Sequence, residues 1–263
     1  MLEERNAEVR PLSARSVVAS TLLAEHPPRL RASALVRAGE AFGISEGSVR
    51  VALSRMVAAG ELIVDEGRYE LSGHLVARQR RQDQSLAKTG SSNGPWDGMW
   101  LVTVVVGERR SAPERSEFRA AMLAARYREL REGVWMRPAN LDPAVPPAGT
   151  AANVQSLLAR PTEAPEALAA RLWDLHAWQC TARRLFDALH HRLSDASHDR
   201  PLDLAESFML DAAVLRHFQS DPLLPTSLLP SEWPGEALRD AYRRFHEEFL
   251  ADWREWQQGA RPK

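Results

Sequence analysis

The sequence predicts an α+β protein in three successive parts, and three observations carry that expectation. Residues 43–62, GISEGSVRVALSRMVAAGEL, set apolar side chains at helical period within a series of short helices that ends in an alternating, strand-like segment. Residues 100–106, WLVTVVV, form a near-continuous β-branched run of strand length, as expected of a strand covered on both faces. Further on, Leu168, Leu172, Leu175, Leu185, Leu189 and Leu193 recur at helical spacing and announce a helical final third.

The first part is the most fully specified. Val17, Val18, Leu22 and Leu23 give a helix over residues 16–24, and Leu35, Val36, Ala38 and Phe42 give a second over 33–42, broken at Gly43. In the third helix Val49, Ala52, Leu53, Met56 and Val57 fall on one side, which leaves Ser48, Arg50, Val51, Ser54 and Arg55 toward the other. Ser45 stands at the N-cap, Glu46 lies against the positive end of the helix dipole, and Gly60 stands where a left-handed terminal residue is wanted. Leu62, Val64, Tyr69 and Leu71 then alternate around Asp65-Glu66-Gly67, the pattern of a hairpin with a tight turn.

Three helices and a hairpin make a winged helix-turn-helix. In that arrangement the third helix enters the major groove and the hairpin, with Arg68 near its tip, lies against a phosphate backbone. The expected DNA-facing residues are Ser45, Ser48, Arg50, Ser54, Arg55 and Arg68. Arg50 and Ser54 share a face, whereas Arg55 sits to the side and suits an acidic neighbour as well as it suits DNA. The competing interpretation is a protein-interaction module with ordinary solvated arginines. Its hallmark would be an apolar outer face on helix three, which Ser48, Arg50 and Ser54 argue against.

A connecting helix over residues 72–84 carries Leu75, Val76 and the basic run Arg78, Arg80 and Arg81, which either touches backbone phosphate or is simply solvated. The polar stretch AKTGSSNGP, residues 87–95, marks a boundary, so the parts are residues 1–86, 96–175 and 176–263. In the middle part Pro113 opens a helix running to about Leu130, with Phe118, Met122, Ala125 and Leu130 inward and Gly133 as its stop. Strands follow at 134–138 and, after a Pro/Ala/Gly-rich loop over 141–152, at 154–159, and then a helix at 165–175. The order strand, helix, strand, strand, helix suggests a small ferredoxin-like sandwich whose final strand the sequence does not reveal. A metal-dependent nuclease on such a scaffold needs acidic side chains converging near the end of its first strand. The chain offers Glu108 beside Arg109 and Arg110, a poor cation site. The final third reads as residues 166–193 in one long helix or two in line, a helix over 202–218 after Pro201, and a closing helix over 236–257. The connector DPLLPTSLLPSEWPG is too apolar to float free.

At 263 residues the chain can bury two or three cores, and 44% hydrophobic with 26% charged residues is an ordinary globular composition. The net charge of -1 does not announce nucleic acid, so local arginines must supply any attraction for phosphate. A single Cys excludes an internal disulfide, and the lack of a long apolar stretch leads to the expectation of a cytoplasmic protein without membrane contact. Trp100, Trp135, Trp173, Trp178 and Trp233 either wall a pocket for a planar effector or, as is commoner for large aromatics, fill the core and joints. His176 and Cys180 are two ligands at i, i+4 without a third, and neither a Gly-x-Ser-x-Gly turn nor a glycine-rich phosphate loop is present. No catalytic residue, cofactor or metal is expected.

The chain resembles the PaaX family of transcriptional repressors, which control phenylacetic acid catabolism in bacteria. The resemblance is carried by GISEGSVRVALSRMVAAGEL at residues 43–62, WDGMW at 96–100, GVWMRP at 133–138 and LRHFQSDPLLPTSLLPSEWPG at 215–235, the last being the most specific. It implies a winged-helix first domain, a middle domain similar to the Cas2 fold and a helical C-terminal domain. It also implies a homodimer on a palindromic double-stranded DNA operator, released by an aryl-acyl-CoA, typically phenylacetyl-CoA. Arg50 and Arg55 match the family's helix-three arginines, and Arg216 and Asp221 match its C-terminal motif. The resemblance places no effector-binding residue in this chain.

Overall fold

The computed structural model describes residues 12–86, 95–107, 111–141, 153–196 and 204–257. The fold is α+β, with two small antiparallel sheets and a helical C-terminal region. The chain divides into two units: Met1–Arg80 with His191–Ala212 and Arg244–Lys263, and Arg81–His190 with Ala213–Arg243.

The first unit opens with α1 (Ala14–Ala24), β1 (Arg29–Arg31), α2 (Ala32–Glu40) and α3 (Glu46–Ala58), followed by β2 (Leu62–Asp65) and β3 (Arg68–Leu71). Each helix presents one apolar stripe to a shared core of Val18, Leu22, Leu35, Val49, Leu53, Met56, Leu62 and Leu71. Each such aliphatic side chain contributes about 1.5–3 kcal/mol on burial. Gly39 in α2 lets α3 approach closely, because a Cβ there would stand 2.5 Å from Val49 Cγ2. The hairpin turns on Glu66 and Gly67 at φ 46° and 71°, the two positive values that a two-residue turn between twisted strands requires.

Two expectations change in this unit. Val57 is 37% exposed, so the buried stripe of α3 is Val49, Ala52, Leu53 and Met56. The hairpin is also part of a three-stranded sheet in the order β1-β3-β2, with Arg31 opposite Arg68. The expected connecting helix is α4 (Gly73–Leu86), whose Gln79 side-chain amide donates to the carbonyls of Leu23 (3.2 Å) and Glu25 (3.0 Å) and so closes the C-terminal end of α1. Three later helices, α7 (Leu175–Ala196), α8 (Leu204–Gln219) and α9 (Gly235–Gln257), supply residues to both units. In the first unit, Phe208 of α8 meets Phe42 edge-on at 4.9 Å and Trp253 of α9 at 5.7 Å.

The second unit contains β4 (Trp100–Val105), α5 (Ala112–Ala124), β5 (Arg128–Arg131), β6 (Val134–Pro138), β7 (Val154–Ala159) and α6 (Pro165–Leu172). The sheet order is β5-β6-β4-β7, antiparallel throughout, which is the strand order of a ferredoxin-like sheet. The strand absent from the expected order is not a final one after the second helix but β5, inside the segment expected to be the tail of a long helix. α5 stops at Ala124 because Arg126 takes a left-handed φ of 68°, with the Arg126 N–H donating to the Leu123 carbonyl and the Tyr127 N–H to that of Met122. Glycine is the usual residue at that position, so the stop carries no signature in composition. Residues 154–159 are therefore the fourth strand rather than the third, and α6 follows the sheet. Glu108, Arg109, Arg110, Pro201 and most of the 141–152 loop lie outside the described residues.

The single-helix alternative for residues 166–193 is resolved into α6 and α7, separated at Trp173 and Asp174. The apolar connector is docked as expected, with Leu223, Leu224 and Leu228 buried. Trp100, Trp135, Trp173 and Trp178 are likewise buried, so their first role is core.

Candidate nucleic-acid interface

α3 begins and ends where its sequence says it should. The Ser45 Oγ accepts from the Ser48 N–H at 3.3 Å, and Gly60 at φ 70° closes the far end, with the Glu61 N–H donating to the Met56 carbonyl at 2.9 Å. Between these caps Glu46, Gly47, Ser48, Arg50, Val51, Ser54 and Arg55 are all exposed, and the stripe beneath them is fixed in the core. The helix therefore offers solvent a rigid polar face.

The individual side chains are not idle on that face. Arg50 makes an i, i+4 ion pair with Glu46, its Nη2 2.6 Å and its Nε 2.7 Å from one carboxylate oxygen, with both side chains more than half exposed. Ser45 and Ser48 share a hydroxyl hydrogen bond of 2.9 Å, and the Ser54 hydroxyl donates to the Arg50 carbonyl at 3.1 Å, which leaves its lone pairs outward. Arg55 makes no ion pair among the described residues, so Arg50 is the one held by an acidic neighbour.

On the hairpin, Arg68 is exposed beside the turn and lies opposite both Asp65 in β2 and Arg31 in β1. Directly opposed residues share a face of the sheet, so Arg31 and Arg68 present two positive charges together. Arg29 reaches Asp65 at 2.8 Å and Glu66 at 3.5 Å, which offsets the acidic turn next to them. The sequence does not announce Arg31, because β1 is three residues long, too short to establish an alternation; its one signal is the RLR pattern after Pro28. Behind the interface the partly exposed Arg15 grips the buried Glu61 in a two-pronged ion pair that lowers the carboxyl pKa below its ordinary value. That pair anchors the start of β2 rather than facing a ligand.

In the second unit the Trp and His residues gather differently. Trp178 stacks on His217 at 4.3 Å and on Trp233 at 4.4 Å. His176 Nε2 lies 3.5 Å from Cys180 Sγ with both residues exposed, and no cluster of three metal-ligating side chains occurs among the described residues. No helix among the described residues is long and apolar enough to cross a membrane.

Fold and site together define a class: an α+β chain that leads with a three-helix and hairpin unit carrying an exposed, arginine-bearing helix. The family described as PaaX-like protein matches residues 13–75, which is that unit, and the PaaX-like protein C-terminal domain matches residues 173–258. A solved structure titled "Uncharacterized protein Rv0674 from Mycobacterium tuberculosis" is 40% identical, with 94% of this chain and 99% of that chain covered and a TM-score of 0.69. A comparison with curated proteins gives no match. The chain belongs to the PaaX family.

Proposed function

We propose that the protein is a DNA-binding transcriptional repressor that reads its operator with α3. The observation that carries this reading is the capped, core-anchored α3 with Ser48, Arg50, Ser54 and Arg55 facing solvent. In the major groove Arg50 exchanges Glu46 for a base edge or phosphate, while Ser45, Ser48, Ser54 and Arg55 add hydroxyl and backbone contacts. The first unit acts as a winged helix, with Arg68 and Arg31 holding the phosphate backbone from its wing. Membership of the PaaX family supports regulation of transcription over enzymatic activity.

The operator is palindromic and the protein binds it as a homodimer. β7 is an edge strand with Leu157 44% and Leu158 57% exposed, an apolar edge that a second copy would cover. An aryl-acyl-CoA such as phenylacetyl-CoA releases the DNA, by resemblance to the family. No metal or cofactor takes part.

Recovery of bound sequences from a random DNA pool, followed by gel-shift titration, tests the reading. Arg50→Ala weakens specific binding by about 1–3 kcal/mol, whereas Arg68→Ala weakens binding to any sequence and lowers the salt slope by about 1. Unchanged operator binding by Arg50→Ala sinks the assignment of α3.

A further inference from the structure

Buried arginines normally sit beside a carboxylate that balances them. In the second unit Arg81, Arg126 and Arg128 line one cavity of about 280 Å³ with Leu123, Ala124 and Gln219. Their partners are neutral: Arg126 donates to Ser85 Oγ at 2.7 Å and to the Gln219 carbonyl, and Arg128 donates to the Tyr127 carbonyl at 3.0 Å. Among the described residues no carboxylate pairs with any of the three. Asp221, the acidic group that acts on Arg126, is committed to Arg239 at 2.5 Å. Burial lowers the Arg126 pKa to about 10, and the positive charges of Arg128, Arg81 and Arg239 push the same way against partial relief from Asp221. Arg126 is held there by the left-handed backbone that ends α5, a conformation uncommon for a residue with a Cβ.

A second cavity of about 400 Å³ shares Arg128 as a wall residue and is otherwise lined by Trp173, Asp174, Leu175, Trp178, His217 and neighbouring residues. Asp174 spends its carboxylate on the Ala177 N–H at 2.9 Å, at the start of α7. Among the described residues the Nε1–H groups of Trp173 and Trp178 are buried without an acceptor, and the Gln219 side-chain N–H in the arginine cavity is in the same position. Unmet buried donors of this kind cost about 1–3 kcal/mol each, so both cavities lack oxygen acceptors that a ligand can bring.

We propose that the two cavities form one small-molecule site for an apolar compound bearing a phosphate-class anion, the anion on Arg81, Arg126 and Arg128 and the apolar part against Trp173, Leu175 and Trp178. Arg128 stands at the junction, where its guanidinium lies 5.9 Å from the Trp173 ring centre. The anion site stands on the arginine geometry alone. Identifying the whole ligand as an acyl-CoA thioester rests on the effector reading above.

Calorimetric titration of the DNA-free protein with inorganic pyrophosphate and, separately, with phenylacetyl-CoA tests both halves. Pyrophosphate affinity falls about tenfold or more in Arg81→Gln, where a half-exposed side chain is replaced, and in Arg126→Gly, which keeps the left-handed backbone and removes the guanidinium. Ala177→Phe, which fills the second cavity from an exposed helix position, weakens phenylacetyl-CoA and leaves pyrophosphate unchanged. Equal pyrophosphate affinity in the parent and both arginine variants means an adventitious ion only and overturns the site, as does absence of binding. Pyrophosphate bound as expected with no thioester binding keeps the anion site and overturns the acyl-CoA identity. A failure of Arg50→Ala to affect DNA bears on neither.

Discussion

Arginine is put to opposite uses in the two units. On α3 the Arg50–Glu46 pair leaves 61% and 57% of the two side chains exposed, whereas in the second unit the Arg239–Asp221 pair is 5% and 3% exposed. The first contributes about 0.3–0.5 kcal/mol, as exposed i, i+4 pairs do, so Arg50 can exchange its partner for a phosphate or base at little cost. The second sits in a network: Arg239 also donates to the Ser85 carbonyl at 2.8 Å and lies over the Phe218 ring, and Asp221 accepts from the Leu223 N–H at 2.9 Å. Neither member of that pair can leave without stranding a charge away from water. The difference teaches that the DPLLP stretch at residues 221–225 is tied into the fold through Asp221, while the α3 face keeps its arginine exchangeable and open to solvent.

The strongest way to break this distinction is to remove the buried partner. Asp221→Ala leaves the buried Arg239 without its partner, and the expected loss is about 3–5 kcal/mol of stability in urea unfolding. Arg50→Ala shifts the same unfolding curve by less than about 0.5 kcal/mol. Similar midpoints for the two variants would show that burial does not separate the two arginines.

A smaller effect follows from His217, whose imidazole is buried against Trp178 and faces the Asp221 field. Burial lowers its pKa below 6.5, with Asp221 and the Trp178 backbone opposing only in part. Because the folded pKa is depressed, the unfolded chain takes up a proton first as the pH falls. Stability from this group is present above about pH 6.5 and is lost on acidification through the folded pKa, at a slope of at most about 1.4 kcal/mol per pH unit. Unfolding curves at successively lower pH should therefore show a steeper decline for the parent than for His217→Gln. Parallel declines would mean that His217 is not the group responsible.

The contrast also explains what the sequence could reveal. The bounds of α3 and most of its buried stripe are legible because Ser45, Gly60 and the period of Val49, Leu53 and Met56 are local signals, each needing only neighbouring residues to be read. β5 is not legible, since the helix before it stops at Ala124 ahead of a left-handed Arg126, where composition gives no glycine signal and the guanidinium is held by Ser85 and Gln219, far away in sequence. β1 and with it Arg31 were hidden for a related reason: three residues adopt a strand only because β3 is there to pair with them. Val57 was misplaced because helical period alone sets the stripe's direction, not its width. The arginine cavity could not be foreseen, because Arg81, Arg126 and Arg128 converge only through the fold.

The smallest expected effect separates two roles for Glu46. Its carboxylate lies in the first turn, at the positive end of α3, and pairs with Arg50, so Glu46→Gln costs stability only a few tenths of a kcal/mol. If the pair merely occupies Arg50 until DNA arrives, losing it removes a competitor and a negative charge from the face that meets phosphate. Operator binding by Glu46→Gln then tightens, and most at low ionic strength, where repulsion between carboxylate and phosphate is least screened. If instead Glu46 holds Arg50 in the posture needed for a base contact, the same substitution weakens specific binding and leaves non-specific binding unchanged. Gel-shift titrations of operator and scrambled DNA at two salt concentrations distinguish the two, and the first outcome is expected because both side chains stand in water, where the pair imposes little order.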